Sequence, residues 1–330
     1  MTTVVAVELL VGVVLYAVFG GADFGAGFWD LTAGGPQRGR RPRELIDRSL
    51  GPVWEANHVW LIYCLVVLWT AFPRAFAAIM STLYIPLGLA ALGIVLRGSG
   101  FAFRKVVVRT AEQRVTGAAF AASSVITPFF FGTVAGGIAS GRVLAGGSNA
   151  LRSWLNPTSA LGGALAVVVC AYLAAVFLAA DASAQRDHDL ERWFVRRAFL
   201  AAGVAGALAL GGIGILHADA PRLFHRLIGP ALALVIISAM SGGAALVLLG
   251  RVPPRLLRVL AVAAVGAIVA GWGVAQYPYL LGTHLRISQA AAPTPTLWAV
   301  TLVFLAAVLL CVPSLGLLYL LQQRGRLEST

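Results

Sequence analysis

Apolar residues along this chain do not alternate with polar ones; they come in blocks of about twenty, each closed by a short polar or arginine-bearing segment. A block of that length crosses the roughly 30 Å hydrocarbon layer as an α-helix rising 1.5 Å per residue. Inside lipid the backbone must satisfy its own hydrogen bonds, so such runs are helical. A transmembrane barrel needs segments of about ten residues that alternate apolar and polar, and the sequence offers none. The blocks predict nine transmembrane helices, over residues 4–31, 51–71, 75–96, 115–139, 158–180, 198–216, 227–249, 256–275 and 297–321. No connection is long enough for a separate soluble unit, so residues 1–330 read as one membrane domain without a clear internal repeat. Gly132 and Gly136, at helical spacing, permit close helix contact.

Composition agrees with the pattern. Of 330 residues 59% are hydrophobic and 12% charged, about half the charged fraction of a soluble domain, and the mean hydropathy is +0.86. The net charge of +12 on a soluble protein would suggest a nucleic-acid partner. Here the basic residues occupy short loops, so no nucleic acid is expected; they serve as an orientation signal and attract the headgroups of membrane lipids. Alternating the loops between two sides puts 19 of the 25 Lys and Arg on the side of the C-terminus. The positive-inside rule then places the C-terminus in the cytoplasm and the N-terminus outside. Cys64, Cys170 and Cys311 all lie in apolar runs without metal-ligand spacing, and read as buried thiols. The N-terminal stretch lacks a basic leader and a small-residue cleavage site, and reads as a retained first helix.

An ionisable side chain inside the membrane is costly and therefore a candidate for function. Asp23, within Phe19–Gly27, lies eight residues from the end of the first helix, roughly 12 Å inside. Asp30 is closer to the boundary and reads as an interfacial acid. The second place is Gly51–Trp60, where Pro52 suits a first helical turn and Glu55 and His58 share a face, with Trp54 and Asn57 beside them. Asp23 and Glu55 thus fall at similar depth near the same side. Buried carboxyls at one depth suit a proton path; a static hydrogen-bonded cluster explains them equally well. His58 is the one histidine well inside a predicted helix, and it has no evident partner for binding a haem.

At these two segments the sequence resembles subunit II of the cytochrome bd-type quinol oxidases. The residues that carry the resemblance are Gly21-Ala22-Asp23-Phe24-Gly25-Ala26-Gly27 and Gly51-Pro52-Val53-Trp54-Glu55-Ala56-Asn57-His58-Val59-Trp60-Leu61, with Leu96–Arg104 as a family-like turn after the third helix. The resemblance covers roughly residues 10 to 140. It implies an all-α integral membrane fold, the nine helices forming two four-helix bundles and one peripheral helix. It further implies a haem-free subunit paired with a nine-helix subunit I that holds haem b and haem d and oxidises quinol. The complex reduces dioxygen to water in the bacterial cytoplasmic membrane, electrogenically, with room for a small accessory subunit and, in some members, a structural quinone. This subunit would support assembly and haem retention and carry proton and oxygen access. Asp23 and Glu55 match the family's proton-access acids, with Trp54, Asn57, His58, Arg97 and Arg104 supporting them. Gly20 stands where many members have another acid, Glu55 replaces Asp and Ala56 replaces Gly. The short connection from Leu216 to Leu227 lacks the long quinol-oxidising loop of subunit I. The competing reading is a multi-span secondary transporter, whose acids belong at the midplane, beside broken helices.

Overall fold

The computed structural model describes residues 1–35, 37–50, 54–106, 110–248 and 250–323; the side chains at 50, 54–56, 101–116, 118, 121, 312, 315, 318, 319 and 321–323 lie outside that description. The chain is helical almost throughout. α1 (Thr2–Leu15), a π-helical turn (Tyr16–Gly20) and α2 (Gly21–Leu31) make one continuous rod. There follow α3 (Arg40–Leu50), α4 (Trp54–Ala71), α5 (Pro73–Thr82), α6 (Tyr84–Val106), α7 (Thr110–Ala139) and α8 (Pro157–Ala184). The second half has α9 (His188–Asp219), α10 (Pro221–Leu227), α11 (Leu232–Leu248) and α12 (Pro254–Gln276). A small antiparallel hairpin, β1 (Tyr279–Leu281) and β2 (Leu285–Arg286), leads into α13 (Ile287–Ala290) and α14 (Thr294–Gln323). Among the described residues six helices are long and apolar enough to span a membrane, or eight if two bent pairs each count as one span. The chain is a multi-pass membrane protein.

Each segment predicted from the hydropathy blocks overlaps a helix, but three local expectations are corrected. The single helix expected over 75–96 is two, α5 and α6. Pro86 explains the break: it has no N–H for the carbonyl of Thr82, and its ring would collide with that carbonyl. Leu83 leaves the helix there, at φ −105° and ψ 24°. The turn expected at Leu96–Arg104 is helix, because α6 runs on to Val106; packing around the buried Arg97 and Gly100 offsets the cost of about 1 kcal/mol per helical glycine. Finally, the loop between the first two predicted spans contains α3, which turns Leu45 and Ile46 into the core and Arg43 toward Asp30, leaving Arg40, Arg41 and Arg48 outward.

Two helix junctions, α4 to α5 and α9 to α10, share one cause. Phe72 (φ −134°, ψ 58°) precedes Pro73, and Ala220 (φ −137°, ψ 57°) precedes Pro221; a residue before proline is pushed out of the helical region. α5 therefore leaves α4 at 118°, and α10 breaks from α9 at Ala220; the separate 75° bend between α10 and α11 falls at residues 228–231, which hold Pro230. Each of the two junctions continues Pro-Arg, and both arginines reach the 277–296 connection: Arg74 donates to the Gln289 carbonyl and Arg222 to that of Gly282. The bends thus clamp the hairpin over one end of the bundle. Leu281, Leu285 and Ile287 pack there with Phe72, Leu83 and Val5.

α8 is the central column, with 61% of its apolar window buried, against 11% for α14, which lies at the periphery. α8 packs on α7 backbone to backbone, since a Cβ at Gly132 would fall 2.3 Å from the Gly162 carbonyl. Each ion pair between loops, among the described residues, stays within one of the two loop sets. Arg41 meets Asp187 at 2.7 Å at the arginine-rich end, and Arg142 meets Asp219 at 2.7 Å at the other.

Asp187 also caps α9, accepting from the Leu190 N–H at 3.1 Å. That bond, and then Arg41, hold its carboxyl below the ordinary aspartate value of 3.8. Such a group stabilises the fold above its unfolded value and ceases to do so as pH falls through the folded one. Asp187→Ala is expected to cost about 1 kcal/mol, as lost caps do, at neutral pH only. Melting both proteins between about pH 7 and pH 3 checks this; a deficit that persists undiminished in acid rules the capping carboxylate out.

Candidate functional site

The rod from Thr2 to Leu31 changes pitch at Tyr16–Gly20, where one extra residue per turn rotates the face that follows. Beyond it, small residues bring α2 against α8. A Cβ on Gly25 would lie 1.8 Å from the Cys170 carbonyl oxygen, so no side chain fits. The Trp29 indole N–H donates to the Ala171 carbonyl at 2.7 Å, a second tie across the same pair. Gly25→Ala is expected to destabilise the fold by about 1–3 kcal/mol, the usual cost of overpacking. Gly88→Ala, with nothing within 4 Å, is the neutral control. Comparing thermal midpoints of the purified variants tests this, and equal behaviour would contradict the close approach.

This contact sinks Asp23, which is 2% exposed. Its Oδ2 accepts from Asn57 Nδ2 at 2.6 Å, joining α2 to the first turns of α4. Arg97 of α6 comes from the opposite side and is 1% exposed. Its Nη2 donates to the Asp23 main-chain carbonyl at 2.6 Å, and its Nη1 to Ser124 Oγ on α7 at 2.7 Å. The guanidinium lies between two rings, 5.1 Å from the centroid of Phe24 and 4.7 Å from that of Phe120. Cation–π attraction in such a desolvated place reaches about 2 kcal/mol. Four helices, α2, α4, α6 and α7, thus meet at one buried acid, one buried cation and one amide. Along α7, Thr127 follows Ser124 by one turn; it is fully buried, and its hydroxyl has no partner.

Of the sequence-predicted site residues, Asp23 and Asn57 are in direct contact, and Arg97 joins them from inside the bundle. It is neither a loop nor a turn residue. His58 lies alongside, its ring 6.3 Å from Tyr16 and 6.1 Å from Phe24, both edge-on. The side chains of Trp54, Glu55 and Arg104 lie outside the described residues, as do Gly51–Val53. Asp30 pairs with Arg43 of α3 at 2.8 Å, as an interfacial acid should. Among the described residues no group of three His, Cys, Asp or Glu could hold a metal ion.

Two features escaped the sequence reading. Ser124 carries no signal beyond being a serine in an apolar helix. Glu8 did carry one, as an acid near the start of the first apolar block. It is 6% exposed, with one carboxylate oxygen unpartnered, toward the end of the bundle opposite Asp23.

The comparisons with known proteins agree with this architecture. The family described as cytochrome bd terminal oxidase subunit II matches residues 1–322. The chain is 29% identical over 153 residues to the cytochrome bd ubiquinol oxidase subunit 2 of Bacillus subtilis, covering 46% of this chain and 44% of that one. It is 30% identical over 135 residues to the cytochrome bd-I ubiquinol oxidase subunit 2 of Escherichia coli K12, covering 40% of this chain and 35% of that one. The matched stretch thus spans under half the length of these relatives. The bd oxidase structure from Geobacillus thermodenitrificans has the same fold, with a TM-score of 0.76 at 24% identity over 96% of this chain and 97% of that one.

Proposed function

The chain belongs to the cytochrome bd terminal oxidase subunit II family, and from that premise we propose that it is the haem-free second subunit of a membrane quinol:oxygen oxidoreductase. Its partner, subunit I, would hold the b- and d-type haems and the quinol site and carry out the electron transfer to oxygen. This chain contributes assembly surface, haem retention and a proton entry. In the reading adopted here nine spans cross the bacterial cytoplasmic membrane, with the arginine-rich end in the cytoplasm.

One observation carries the proton role: a carboxyl 2% exposed, beside a fixed guanidinium 1% exposed, near the arginine-rich end of the bundle. Asn57 and Arg97 hold Asp23 in place, and Ser124 and Thr127 continue polar character along α7. Such an acid can bind and release a proton while its neighbours stay put. Glu55 is two residues earlier on the helix that supplies Asn57, and we assign it to the same entry. Family membership leaves the secondary-transporter alternative without support.

The test is co-production with the neighbouring nine-helix subunit in cells that make haem d. The expected result is a complex that absorbs as haem d, while this chain purified alone binds no haem. A haem-free complex from such cells would overturn the reading.

A further inference from the structure

α9 and α11 touch only sparsely, and the space between them is a groove of about 800 Å³. Phe199, Leu200, Leu246 and Val247 form its walls, and Arg196 and Arg251 stand at its mouth. The walls face outward: Phe199 is 56% exposed, Leu200 65% and Val247 63%. In a chain that spans a bilayer, such a face meets acyl chains.

Some arginines at this end are paired with acids and others are not. Arg41, Arg192 and Arg258 are each neutralised by an aspartate, Asp187, Asp189 and Asp181 respectively. Neither Arg196 nor Arg251 has an acidic partner among the described residues. Their depth suits a headgroup. With 32 residues, α9 is roughly 48 Å long, well over the roughly 30 Å hydrocarbon layer, so its first turns stand among the headgroups. Arg196 is eight residues into the helix, and Arg251 follows the end of α11. An apolar furrow that ends in two uncompensated guanidiniums has the shape and charge of one ligand class. Guanidinium forks match phosphate oxygens, and basic pockets between membrane helices hold anionic lipid headgroups.

We propose that the groove between α9 and α11 is a binding site for one anionic phospholipid, its phosphate held by Arg196 and Arg251 and its acyl chain laid along Phe199, Leu200, Leu246 and Val247. The inference is independent of the proton role and of the partner subunit's haems. A zwitterionic lipid gains less, because its own ammonium competes for the phosphate.

Native mass spectrometry of the purified complex, delipidated and titrated with dioleoyl phosphatidylglycerol or dioleoyl phosphatidylcholine, tests it. The expected result is one phosphatidylglycerol retained at concentrations where phosphatidylcholine is not. The double variant Arg196→Gln/Arg251→Gln should weaken it about thirtyfold, from roughly 1 kcal/mol per basic residue. Leu200→Trp, which keeps both charges and fills the groove, should also expel it. Arg186→Gln/Arg255→Gln removes the same net charge away from the groove and should leave binding intact. Equal weakening by that control would reduce the effect to diffuse attraction and overturn the site. Equal binding of phosphatidylcholine, or of inorganic phosphate alone, would overturn it as well.

Discussion

Asp23→Asn in the assembled complex is expected to lower quinol-driven oxygen consumption by roughly a hundredfold, the lower end of what a positioned proton-transfer group contributes. The complex should form normally and keep its haems. The amide has the shape of the carboxyl and can still accept from Asn57, whose Nδ2 lies 2.6 Å from Asp23 Oδ2. The main-chain carbonyl that receives Arg97 is untouched. What the variant loses is the capacity to bind and release a proton. Oxygen electrode rates, with haem content measured from the same preparation, separate the two roles. Unchanged turnover at full haem content would leave Asp23 as a structural acid and remove the proton entry from this position.

Arg97→Leu is expected to act earlier, on assembly. The side chain is 1% exposed, lies between Phe24 and Phe120, and ties α6 to α2 and α7. Leucine replaces the apolar contact but leaves the Asp23 carboxyl without its nearby cation and the Asp23 carbonyl without a donor. Removing one partner of a buried charged arrangement costs about 3–5 kcal/mol, a large fraction of a typical fold's stability. Yield of complex from membranes and its thermal midpoint should both fall sharply. Arg97→Lys, which keeps the charge but not the fork that reaches both acceptors, should fall between. The double variant Asp23→Asn/Arg97→Leu discriminates further: if the charges are coupled, it should lose less than the sum of the single losses. Strict additivity would mean that the guanidinium serves only its hydrogen bonds.

Asp23 was visible in the sequence because lipid makes acids rare, so one acid in a glycine-rich apolar run is conspicuous. Arg97 was read there as a turn residue. Nothing local separates an arginine that ends a helix from one that continues into the bundle; only the packing of α2 and α7 around it shows which it is. Pro86 could have signalled the break at Leu83, yet the apolar run on both sides masks it. The groove between α9 and α11 depends on how far two helices diverge, and hydropathy does not report divergence.

Membership of the bilayer class, the helical blocks, the uneven distribution of arginines between two loop sets and the presence of buried acids all follow from the sequence alone. Each is a property of a segment against lipid or water, and transfer free energy is summed residue by residue. The neighbours of Asp23, the burial of Arg97, the clamps on the 277–296 connection and the lipid-facing furrow came only with the tertiary structure. They depend on the rotation and spacing of helices whose outer faces are all nearly equally apolar, and close packing selects among those arrangements where hydropathy does not.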